Sequence, residues 1–211
     1  MRNRSKLPLE SLEPVLLPLG PIGDLGKVFP DLSPDSTTEL EIGFGKGLHL
    51  VNASQANPNT RYLGVEIERE YVFFAATTLI RKGIRNVRLV AGDAAVFVTN
   101  HVAEASLDVV HIYFPDPWWK KRHHKRRLVT QAFLEQILRL LKDGGIIRFA
   151  TDVEAYFQMT EEILVNLKGV ERSNPGNSSN PLHDMDYLTH FERKARLKGK
   201  PIFRWDLKKM V

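Results

Sequence analysis

Residues 114–127 read Phe-Pro-Asp-Pro-Trp-Trp-Lys-Lys-Arg-His-His-Lys-Arg-Arg. A single carboxylate, Asp116, stands between two prolines. Each proline ring fixes φ near about −65° and removes a backbone donor, so the pattern predicts a stiff turn that presents Asp116. Lys120 to Arg127 then place six Lys or Arg and two His in eight positions. Ordinary surfaces intersperse both signs of charge; a one-sign run beside Trp118 and Trp119 has the character of a phosphate clamp with rings that can stack on bases. A rigid carboxylate next to such a clamp points to chemistry on a nucleobase. For the tryptophans, turn packing is an equal alternative.

Further acids recur with a period of one per predicted strand: Glu41, Glu66, Asp93, Asp116 and Asp152. In an open α/β sheet ligands bind at the carboxyl ends of the strands, so these positions are where a ligand-holding carboxylate belongs. The first strand runs into Glu41-Ile42-Gly43-Phe44-Gly45-Lys46-Gly47. That glycine spacing differs from the G-x-G-x-x-G of dinucleotide folds, and an acidic pocket repels a pyrophosphate. It suits a cationic ligand. Glu66 can accept from ribose hydroxyls, Asp93 from an adenine amine, and Glu41 from an ammonium group.

Composition bounds the alternatives. The 211 residues carry a net charge of +5, of which residues 120–127 hold +6 and residues 193–211 hold +7, leaving the rest of the chain at −8. An acidic body with two basic segments has a polyanion-facing side. With no cysteine, disulfides, thiolate catalysis and Cys-ligated zinc are excluded, and the seven histidines show no metal-ligand spacing. No apolar run approaches the roughly 20 residues that span a bilayer, and Glu10, Glu13 and three prolines interrupt the N-terminus where a signal core would lie. The expectation is a cytoplasmic protein with no membrane contact and no metal, its oligomeric state left open.

The elements that position these residues alternate. Strands are predicted at 37–44, 61–67, 86–93, 107–114 and 145–152. Helices are predicted at 47–56, 68–82, after 93, at 128–141 and at 153–168. Five such units predict an α/β, doubly wound, mostly parallel Rossmann-like sheet. The tail, Pro201 to Met210, predicts a last strand, antiparallel to one near Val170. Residues 1–36 are proline-rich and read as an extended, partly flexible arm before a single domain at 37–211.

Taken in order, EIGFGKG, GVEI, GD, FPDPWWKKRHHKRR, ATD and T-x-F-E resemble the bacterial tRNA (guanine-N7-)-methyltransferases, class I enzymes that use S-adenosylmethionine. The resemblance covers roughly residues 37–194. It departs at Phe44, where many relatives carry a small or hydroxyl residue. It implies the seven-stranded class I sheet and methyl transfer to guanine 46 in the tRNA variable loop. It further implies cofactor binding by Glu41, Gly43, Gly45, Glu66, Asp93 and Asp116, with Asp116 also catalytic. Substrate binding falls to Lys120, Asp152, Thr189, His190, Phe191 and Glu192. Arg122, His123, His124, Lys125, Arg126 and Arg127 are the implied RNA contacts. Two other readings stand beside it: an RNA-binding protein on a degenerate methyltransferase fold, and a nicotinamide-dependent oxidoreductase, which the glycine spacing disfavours.

Overall fold

A computed structural model describes residues 7–118, 122, 126–173 and 189–211. The chain packs as two compact units, residues 1–101 and 102–211.

In the first unit every strand pairing is parallel. β1 (Leu16–Leu17) pairs with β4 (Val87–Ala91), β4 with β3 (Arg61–Glu66), and β3 with β2 (Thr38–Ile42). α2 (Leu48–Ala56), α3 (Arg69–Arg81) and α4 (Ala94–Asn100) supply the crossovers. All six residues of β3 are buried, as a strand covered on both faces requires. Its Gly64 is a packing necessity: a Cβ there would lie 2.7 Å from Phe44 and 2.8 Å from Leu50. Phe44, the departure noted in the sequence, is thus a core residue in the space that Gly64 leaves.

The proline-rich N-terminal segment is built into this unit. It forms a 3-10 helix (Leu9–Leu12), β1 and α1 (Leu25–Val28), and it buries Leu12, Val15 and Phe29. The Arg61 guanidinium donates to the carbonyls of Ser33 and Ser36, and that of Arg88 lies 4.9 Å from the Phe29 ring. With β1 counted, the described residues form eight strands where seven were expected.

In the second unit β5 (Leu107–Tyr113) pairs parallel with β6 (Leu141–Thr151). β6 pairs antiparallel with β8 (Phe203–Lys209), and β8 antiparallel with β7 (Val170–Ser173). The predicted tail strand and its pairing near Val170 are therefore present. α5 (Gln131–Leu140) begins at Thr130, whose hydroxyl accepts from the Phe133 N–H, and α6 (Glu154–Asn166) follows β6. β6 starts directly after α5, four residues earlier than its apolar run indicates. A register shift between Leu107 and Val109 absorbs the extra residues. Gly145 makes that possible, since a Cβ there would meet the Lys142 carbonyl at 2.9 Å. Trp205 anchors this core, fully buried, stacked 4.8 Å from Phe149 and donating from Nε1 to Thr160 Oγ1 at 3.0 Å. A further helix, α7 (His190–Leu197), lies just before β8.

Candidate functional site

The parallel pairing puts the carboxyl ends of β2, β3 and β4 on one edge of the first unit, and the acids gather there. Glu41 pairs in register with Gly64, and Glu66 with Ala91. After β2 the chain turns through Gly43, Gly45 and Gly47, at φ 70°, 54° and 73°. Side chains with a Cβ rarely adopt that region. Gly47 is doubly required, because a Cβ there would sit 2.9 Å from that of Ala75.

Glu66 organises this turn. Its Oε2 accepts from the Gly45 N–H at 2.8 Å and its Oε1 from the Glu68 N–H at 2.9 Å. Each carboxylate oxygen retains a second lone pair for a hydroxyl. Asp93 caps α4, its Oδ1 accepting from the amides of Ala95 and Val96 at 2.7 and 3.2 Å, and it remains exposed.

Glu41 is the unusual group. It is 2 % exposed, and its Oε2 is buried without a hydrogen-bond partner. Burial pushes its carboxyl up to about 8, the neighbouring Glu66 adds to the rise, and the Leu50 N–H in the first turn of α2 partly opposes it. A buried acceptor left unpaired costs stability, and its position beside a glycine turn fits a cationic ligand that would pair with it. These are the residues that fit S-adenosylmethionine. A separate cavity of about 410 Å³, lined by Phe29, Ser54, Lys82, Asn86 and Arg88 among others, lies at the amino ends of β3 and β4. It is remote from these acids.

In the second unit Asp116 follows β5 and Asp152 follows β6, so the two acids end adjacent parallel strands. Asp116 is exposed, in a turn with positive φ on both sides: Phe114 at 52° and Trp118 at 44°. The Phe114 N–H donates to the Ala150 carbonyl at 2.7 Å, and its ring stacks on Phe191, centroids 6.5 Å apart. Asp152 pairs with Lys200 at 2.9 Å. Arg126 holds its guanidinium 5.1 Å from the Trp118 ring. The Arg127 Nε donates to the Pro117 carbonyl at 3.0 Å. Buried Tyr156 accepts from the Val129 N–H at 3.4 Å. Its hydroxyl is pushed up by burial, eased by the Val129 amide and the Arg127 charge, and raised again by Asp116.

The T-x-F-E segment is the N-terminus of α7. Thr189 Oγ1 accepts from the Glu192 N–H at 3.1 Å, a helix cap. Glu192, 2 % exposed, accepts from Arg196 Nε at 2.8 Å and Arg204 Nη2 at 2.6 Å, so it joins α7 to β8. His190 and Phe191 are exposed. Lys120, His123, His124 and Lys125, with Trp119, lie outside the described residues; Arg122 is described and exposed. The structure thus gathers Glu41, Gly43, Gly45, Glu66 and Asp93 on one edge. In the other unit it gathers the Asp116 turn with Asp152 and Phe191. Sequence reasoning did not single out Tyr156, Arg204 or the inward role of Arg127. No motif marks the first two, and the third is hidden inside a run of like residues.

Comparison with known proteins places the chain. Residues 35–205 match the family model described as "Putative methyltransferase". The tRNA (guanine-N(7)-)-methyltransferase of Rhodopirellula baltica is 40% identical over 178 residues, 81% of this chain and 65% of that protein. The protein of the same description from Haemophilus influenzae strain PittGG is 37% identical over 185 residues, 87% of this chain and 73% of that protein. The chain therefore spans about two thirds to three quarters of these relatives' lengths. The solved precorrin-6y C5,15-methyltransferase of Geobacter metallireducens GS-15 superposes with a TM-score of 0.55 at 19% identity, covering 83% of this chain and 81% of that one. That likeness shows the fold. The chain belongs to the tRNA (guanine-N7-)-methyltransferase family.

Proposed function

We propose that this chain transfers a methyl group from S-adenosylmethionine to N7 of a guanine in tRNA, guanine 46 of the variable loop. The observation that carries the reading is the buried Glu41 carboxyl, its Oε2 without a hydrogen-bond partner, beside a turn of three left-handed glycines, in a chain of this family. In this reading Glu41 takes the ammonium group of the donor, Glu66 its ribose hydroxyls and Asp93 its adenine amine. Gly43 and Gly45 let the backbone approach it closely. When bound, the donor supplies an electrophilic methyl on a sulfonium.

Guanine N7 has a lone pair and no proton, so the chain need not provide a general base. The work of Asp116 is positional and electrostatic: it accepts from guanine N1–H and N2–H₂ and opposes the positive charge that develops on the purine. Two prolines stiffen the turn that carries this carboxylate. A base in a stacked helix is out of reach of such a group, so the target is a displaced or loop nucleotide, on which Phe191 is placed to stack. Lys120, Asp152, Thr189, His190 and Glu192 hold or frame the acceptor. Arg122, His123, His124, Lys125 and Arg126 contact the RNA. In this reading the protein acts on tRNA in the cytoplasm.

Incubation with donor labelled in its methyl group and an unmodified tRNA transcript tests the reading. Label in the RNA that requires both the donor and Asp116 is the predicted result; unlabelled RNA would overturn it. In an equilibrium titration the donor and its demethylated product bind, and NAD does not.

A further inference from the structure

The basic run ends in two arginines that the structure uses differently. Arg126 is exposed and lies over the Trp118 ring. Arg127 is half-buried and points inward, its Nε donating to the Pro117 carbonyl at 3.0 Å and its Nη1 to Met159 Sδ on α6 at 3.0 Å. We infer that Arg127 is a positioning residue, which ties the Pro-Asp-Pro turn carrying Asp116 to α6 and does not contact RNA phosphate.

The turn needs such a tie. Pro115 and Pro117 have no N–H, so the segment has lost two of the donors that would otherwise pin it. Phe114 and Trp118 both sit at positive φ, a conformation that persists in non-glycine residues only when the surroundings over-determine it. On the Phe114 side, the surroundings are its N–H on the Ala150 carbonyl and its stack against Phe191. On the Pro117 side, Arg127 supplies the tie, with one end on the turn and the other on α6. Arg127 and Asp116 also act on one buried hydroxyl, that of Tyr156, with opposite sign, which places both charges at the same corner. A phosphate contact needs the guanidinium turned outward, and that would release Pro117.

The inference rests on the reading that Asp116 holds the target guanine. Its test uses the full chain as wild type, Arg127→Met and Arg127→Lys. Three quantities are measured: kcat for methyl transfer to tRNA, tRNA affinity across a salt series, and hydrogen exchange of residues 114–130. Small displacements of a positioned group cost large factors in rate, so Arg127→Met is expected to lower kcat by at least about tenfold. Affinity stays within about twofold and the salt slope is unchanged. Exchange quickens in 114–130 and not elsewhere. Arg127→Lys recovers part of kcat, because an ammonium can still donate to the Pro117 carbonyl. A salt slope lower by about 0.7, the share of one phosphate contact on single-stranded RNA, overturns the inference. So does unchanged kcat with unchanged exchange. A wild-type protein that methylates no tRNA would refute the proposed function instead, and the exchange measurement would still decide whether Arg127 holds the turn.

Discussion

Replacing Glu41 by Gln probes the most unusual group in the molecule. In the folded chain the carboxyl is raised from 4.5 to about 8, chiefly by burial; in the unfolded chain it returns to the ordinary value. Between those limits the folded state holds a proton that the unfolded state does not. The group's stabilising effect is therefore complete below about 4.5 and is lost progressively as pH rises through about 8. At about 1.36 kcal/mol per pH unit, the wild type should lose roughly 2 kcal/mol from this residue between pH 6 and 8. Glutamine fills the same volume, cannot ionise, and carries no such slope. Titrations common to both proteins cancel in their difference. Urea unfolding at several pH values, followed by far-ultraviolet circular dichroism, measures that difference. Tryptophan fluorescence would not serve, because Trp118, Trp119 and Trp205 all lie in the second unit. The Gln variant should gain on the wild type by roughly 2 kcal/mol from pH 6 to 8, with no further gain well above 8. A difference that stays constant across the range would refute the burial argument.

Asp116→Ala should remove methyl transfer while leaving tRNA affinity nearly intact; retained turnover would take this carboxylate out of the chemistry. Gly64→Ala should cost about 1–3 kcal/mol of stability through overpacking against Phe44 and Leu50. Phe44→Leu should recover part of that cost, as read from urea midpoints of the single and double variants. If about five cations of the basic run contact phosphate, log K for tRNA should fall by about 3.5 per decade of salt. That is roughly a hundredfold between about 50 and 200 mM, and a slope near zero would remove the run from the RNA interface.

The placement of the candidate site residues was legible in the sequence where local chemistry and local structure coincide. Glu41 and Glu66 stand in the last residues of apolar strands and Asp93 just beyond one, so the parallel sheet alone brings them to one edge. The Pro-Asp-Pro turn is equally local, since two prolines dictate it. What escaped depends on distant partners. Leu16 and Leu17 become a strand only because Leu89 and Val90 lie beside them, and no two-residue pattern announces that. The early start of β6 at Leu141 depends on a register shift against β5 and on the absence of a Cβ at Gly145. Thr189 and Glu192 have the spacing of a helix cap, and the cap is made. The burial of Glu192 between Arg196 and Arg204 is set by β8, twelve residues on. Arg127 is one of six like charges by composition. Its bonds to Pro117 and Met159 give it an inward role that composition does not reveal.

The site of methyl transfer is one atom of one nucleotide, and it is read most directly by methylating an unmodified tRNA transcript with this protein, reducing with borohydride and cleaving with aniline, which cuts at N7-methylguanine. A single cut at guanine 46 is expected, dependent on the methyl donor and absent with Asp116→Ala. Methyl incorporation without a cut, or a cut at another guanine, would contradict it.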